Sequence, residues 1–143
     1  MCPLKYIEVH TDGSCSKPYG KGGWAFVIVD NHKVIFSDWG CNSSTTNNRM
    51  ELQAVISALE YLKDKTNLKV YSDSQYVING ISKWIYGWIK NNWRNNEIKN
   101  QDLWKHLLEL IQGKSIIWKW EKGHNGNKYN EIADKLAKEG SKK

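Results

Sequence analysis

The chain has 143 residues, 40% of them hydrophobic and 25% charged, a length and balance that suit one soluble domain. No apolar run approaches the roughly 20 residues of a membrane span, and the start MCPLKYIEVH lacks the basic flank and apolar centre of a secretory signal, which predicts a cytoplasmic protein with no membrane partner. Twenty-one Lys and Arg against 15 Asp and Glu give +6, which favours a polyanionic partner, and three cysteines (Cys2, Cys15, Cys41) without a C-x-x-C pair argue against a disulfide framework or zinc site.

Residues 5–11 are rich in β-branched and apolar side chains and predict a strand, which runs into HTDGSC. GGWAFVIVDNHKVIFSDWG predicts two strands joined by a turn at Asp30–Lys33, the order of a hairpin. Residues 49–63 carry Leu52, Val55, Ile56, Leu59 and Leu62 at helical spacing. A short strand follows at 68–73, then helices at about 75–89 and 101–112, a fifth strand at 115–121, and a closing helix in NEIADKLAKEG. No repeat, linker or low-complexity run interrupts the chain, so residues 1–143 read as a single domain. The order β-β-β-α-β-α-α-β-α implies a mixed sheet covered by helices, with ligands expected near strand ends and switch points.

Four acids stand out against this frame. Asp12 ends the first strand and Asp73 the fourth, each followed by small residues; Gly13 and Ser14 would let a ligand approach the backbone. Singly, each acid also reads as a cap or turn former. Glu51 falls between Val55 and Ala58 on the helical wheel, inside the apolar arc, where an acid is costly unless paired or metal-bound. A capping box with Asn48 as N-cap reads equally well. Asp134 lies in the first turns of the last helix, four residues after Asn130, which could be its N-cap; a solvated charge is the plainer reading there. Oxygen donors of this type suit Mg²⁺ or Mn²⁺.

The sequence resembles the type 1 ribonuclease H family in TDGSC at 11–15, TTNNRMEL at 45–52, YSDSQYV at 71–77, GI..W at 80–84, DLW at 102–104 and KGHNGN..NE..D.LA at 122–137. These motifs span nearly the whole chain in family order. The resemblance implies an α/β, ribonuclease H-like fold: a five-stranded mixed sheet flanked by helices on both sides. It also implies that Asp12, Glu51, Asp73 and Asp134 hold two Mg²⁺ ions in the presence of substrate, with Mn²⁺ as a substitute. Such a site cleaves the RNA strand of an RNA–DNA hybrid, leaving 5′-phosphate and 3′-hydroxyl ends. His124, between glycines in KGHNGN, is implied to assist water activation or product release; by position alone it is a surface-loop histidine.

The resemblance further implies substrate contacts. Thr46, Asn47 and Asn48 precede a helix N-terminus, where backbone N–H groups attract phosphate, although the two asparagines could equally be turn and cap. Gln75 matches a minor-groove glutamine. Residues 83–105 interleave Lys83, Lys90, Arg94, Lys99 and Lys105 with Trp84, Trp88, Trp93 and Trp104, like the basic protrusion of longer members. Ile81, Trp84, Ile85, Trp88 and Ile89 form one helical stripe, which places Trp88 in the core and leaves Trp84 divided between core and DNA sugar. Trp93 with Arg94 is the expected exposed pair. Asn130 is carried over as a further substrate contact. Two departures stand out: CNSS replaces an arginine-bearing approach to TTNNRME, and SKPYGKGG replaces an Asn-Pro-Gly run. The chain reads as a stand-alone, monomeric catalytic domain without a protein partner. A catalytically inactive hybrid-binding module is the alternative, weakened by the intact acid quartet; a DNA nuclease or integrase of the same broad fold is the third.

Overall fold

A computed structural model describes residues 6–15, 20–93, 98–121 and 128–142. Five strands form one sheet: β1 (Ile7–Cys15), β2 (Gly20–Asp30), β3 (Lys33–Thr45), β4 (Asn67–Ser72) and β5 (Ser115–Trp120). Their spatial order is β3-β2-β1-β4-β5. The β1–β2 and β2–β3 pairs are antiparallel; β1–β4 and β4–β5 are parallel. The mixed sheet expected from the element order is therefore present.

The hairpin turn falls where the sequence places it. Asp30 pairs with Lys33, and the two residues between them, Asn31 and His32, have φ of 53° and 65°. Two successive left-handed residues make the turn whose twist matches the flanking strands.

Among the described residues the helices include, in chain order, α1 (Asn47–Tyr61), α2 (Gln75–Asn79), α3 (Ile85–Lys90), α4 (Gln101–Ile111) and α5 (Lys128–Ser141). The single helix expected over about 75–89 is divided by one π-helical turn, Gly80–Trp84, between α2 and α3. One sheet face carries Val9, Phe26, Ile28, Leu68 and Val70 against α1 and against Val77, Ile81, Ile85, Trp104 and Leu107. The other carries Val27 and Val29 against Ala133 of α5, with Tyr129 beside them. Alternation along the strands produces this division: neighbours point to opposite faces. Helices thus cover both sides, and among the described residues no helix is long and apolar enough to cross a membrane.

Trp93 departs from expectation. It is 8% exposed and belongs to the main core, with its ring 6.0 Å from Trp88. Left-handed backbone at Asn92 and Trp93, φ 52° and 56°, turns the chain after α3 so that the indole folds back. Its expected partner Arg94 lies outside the described residues. Trp88 packs half-buried against the core, as its helical stripe predicts, while Trp84 is 43% exposed.

Candidate active site

Asp12 lies on β1 and Asp73 just beyond β4, so the parallel pairing of these strands brings the two acids to one end of the sheet. This is the point where the chain crosses from the hairpin to the parallel strands, the expected position for a ligand. Glu51 arrives from α1. Ligand oxygens of Asp12, Glu51 and Asp73 all lie within 4.8 Å of one another. Asp134 reaches the same cleft from α5, and its Oδ2 pairs with Lys138 Nζ at 3.1 Å. The cleft measures about 400 Å³.

The close approach of α1 depends on Gly13. A Cβ there would meet the backbone of Met50 and Glu51 well inside contact distance. The bare backbone instead lets the Gly13 N–H donate to Glu51 Oε1 and, at 2.9 Å, to Asp12 Oδ1. The Glu51 side chain thus lines the cleft. The N-cap is Thr46, whose Oγ1 accepts from Arg49 N at 3.3 Å. Asn48 lies inside the helix, so the capping box does not form, and Glu51 turns to the site. A cap at Asn130 also fails: α5 begins two residues earlier, at Lys128, and the Asn130 Oδ1 lies 2.7 Å from His10 Nδ1.

The acids are held at a cost. Asp12 and Glu51 are only 5% and 7% exposed. Burial, reinforced by the charge of Asp73 and by Asp134, pushes the Asp12 carboxyl up to about 8. Burial and the nearby Asp12 raise Glu51 well above the ordinary carboxylate range. The set consists of oxygen donors alone, crowded and poorly solvated, and fits a hard divalent cation: Mg²⁺ and Mn²⁺ both take carboxylate ligands. A cation would remove the like-charge conflict that raises these groups.

Surrounding groups fix the site's edges. Trp120 Nε1 donates to the Asp73 carbonyl at 3.1 Å, and the Ser74 N–H donates to Ser72 Oγ at 3.1 Å. Arg49 binds Asp102 in two-pronged fashion, at 3.0 and 2.8 Å, and donates to Asn100 Oδ1 at 3.2 Å. Asn100 and Trp104 both donate to the Tyr76 hydroxyl. The start of α1 is thereby tied to α2 and α4.

Of the residues expected to contact substrate, Gly13, Ser14, Asn47 and Asn48 line the acid cleft. Thr46 flanks it as the cap of α1, and Gln75 is exposed at the start of α2. Trp84 stands farther along, on the π turn. His124 lies outside the described residues. Ser74 and Lys138 also line the cleft and were not singled out from sequence. Lys138 could have been found, because it follows Asp134 by one helical turn.

A sequence model of the RNase H family matches residues 4–142. The chain belongs to the ribonuclease H family. It is 50% identical over 141 residues to the ribonuclease H of Haemophilus influenzae (strain 86-028NP), covering 96% of this chain and 90% of that protein. It is 44% identical over 138 residues to the ribonuclease H of Novosphingobium aromaticivorans, covering 94% and 95%. Among solved structures, LC9-RNase H1, described as a type 1 RNase H with the type 2 active-site motif, superposes with a TM-score of 0.88 at 25% identity over 99% of this chain and 74% of that one. A ribonuclease H is a nuclease, a hydrolytic enzyme, and the cleft with its clustered acids is the candidate active site of this one.

Proposed function

We propose that this ribonuclease H hydrolyses the RNA strand of RNA–DNA hybrids endonucleolytically, giving 5′-phosphate and 3′-hydroxyl ends. The observation that carries the reading is the meeting of Asp12, Glu51 and Asp73 within 4.8 Å at the floor of an open cleft. Asp12, Glu51, Asp73 and Asp134 would hold two Mg²⁺ ions, or Mn²⁺ in their place. Bound there, the cations supply a nucleophilic water at neutral pH and charge stabilisation for the departing 3′ oxygen.

The chain's own residues do the rest. Glu51 is oriented by the Gly13 N–H, and Asp73 by the Trp120 indole through its carbonyl. Asn47 and Asn48 present amides at the cleft beside the N-terminus of α1, where backbone N–H groups favour phosphate. Gln75 and the exposed Trp84 extend that surface along α2 and the π turn. His124 moves a proton during water activation or product release. Only the RNA strand offers a 2′-hydroxyl, and that group selects it. Contacts to phosphate and sugar carry little base information, so cleavage is tolerant of sequence.

The test uses labelled RNA–DNA hybrid, duplex RNA and duplex DNA, each with Mg²⁺ and with EDTA. The expected result is scission of the hybrid's RNA strand alone, and only with metal. Asp12→Asn should still bind the hybrid and fail to cut it. Cutting of duplex DNA, or full activity in EDTA, would overturn the assignment.

A further inference from the structure

We propose that His10 is a positioning residue for Asp134, acting through Asn130; this rests on the reading that Asp134 serves hybrid cleavage. His10 is 1% exposed, and the chemistry above makes no use of it. Its Nδ1 lies 2.7 Å from Asn130 Oδ1. An amide oxygen only accepts, so Nδ1 carries the proton and donates. The ring cannot swing. Tyr71, its register partner on β4, stacks on it with centroids 4.5 Å apart and planes 4° apart, and Tyr129 leans on it at 5.2 Å.

The geometry connects this bond to the site. Residues 10 and 12 share one face of β1 because strand side chains alternate. Residues 130 and 134 share one face of α5 because they lie one turn apart. The two elements run in the same sense: α5 meets β1 at His10 near its start, and its end, Ala137–Ser141, lies over Gly23, the partner of Ser14. Two strand residues advance about 6.6 Å and four helical residues about 6.0 Å. Equal steps therefore lead from His10 and Asn130 to Asp12 and Asp134. The hydrogen bond sets the axial register of the helix on the strand, and a slip of one residue would carry Asp134 about 1.5 Å along the helix axis. Displacements of about 1 Å in a catalytic constellation can cost on the order of a hundredfold in rate.

The test compares His10→Phe, which keeps a ring for Tyr71 and loses the donor, with His10→Asn, which returns an N–H close to the Nδ1 position, and with Asn130→Ala. His10→Phe and Asn130→Ala should each slow single-turnover cleavage about tenfold, and His10→Phe should leave hybrid affinity within about twofold. The double variant should be no slower than either single one. In an Asp134→Ala background, His10→Phe should cost less than about twofold. Independently of activity, amide exchange at Ile132, Ala133 and Asp134 in metal-free protein should quicken in His10→Phe and return in His10→Asn. Wild-type cleavage and exchange in His10→Phe, or an undiminished loss without Asp134, would overturn the proposal. If the unmodified protein does not cut hybrid, the function assigned above fails, while the exchange pattern still judges the tether.

Discussion

Replacing Asp12 by Asn should stabilise the metal-free protein while abolishing cleavage. In the fold the Asp12 carboxyl titrates near 8, against about 3.9 in an unfolded chain. The folded state holds this proton more tightly than the unfolded one. The contribution of this group to stability is therefore greatest below about pH 4 and is lost as pH rises toward the folded value. At about 1.4 kcal/mol per pH unit, the loss accumulated by neutral pH approaches 4 kcal/mol as an upper limit. Asn keeps the shape and the oxygen that accepts from the Gly13 N–H at 2.9 Å. It also introduces a buried donor that needs a partner, which offsets part of the gain. A net stabilisation of about 2 kcal/mol, or about 6 °C in Tm, is expected near pH 7. Thermal unfolding in EDTA near pH 5, 7 and 8.5 measures it, and the difference between variant and parent should widen as pH rises. Added Mg²⁺ should stabilise the parent and close the gap, because only an intact site binds it well. A gap independent of pH, or a variant less stable near pH 8.5, would refute the idea that Asp12 is held against its charge.

Mg²⁺ uptake near pH 7 should release protons, because Asp12 and Glu51 both hold theirs above the ordinary carboxylate range; calorimetry in two buffers of different ionisation enthalpy counts them, and affinity should rise with pH up to about 8. Gly13→Ala places a methyl against the backbone of Met50 and Glu51, so a loss of more than about 2 kcal/mol in urea unfolding is expected, together with activity. Lys114 donates to the carbonyls of Leu62, Lys63 and Lys65 after α1. Lys114→Met should cost about 1 kcal/mol in stability and leave the cleavage rate per folded molecule unchanged.

Local patterns were readable and long-range partners were not. The apolar spacing of Leu52, Val55, Ile56 and Leu59 marks α1 directly, and the Asp30–Lys33 turn follows from the two strands that flank it. The start of α1 was misplaced because Thr46, Asn47 and Asn48 can all cap a helix, and only the backbone path selects Thr46. Glu51 stayed ambiguous because its partner, the Gly13 N–H, lies 38 residues away. Trp93 looked exposed beside Arg94, yet its packing depends on Trp88 and on two left-handed residues that no periodicity announces. Asn130 shows the same limit: helix-start chemistry suggests a cap, while the fold supplies a histidine from the first strand.

The acids of the cleft come from both sides of the sheet, Glu51 from the layer beneath and Asp134 from the last helix above. The quartet proposed above is therefore complete only when α5 is docked on the sheet, opposite the layer that supplies Glu51.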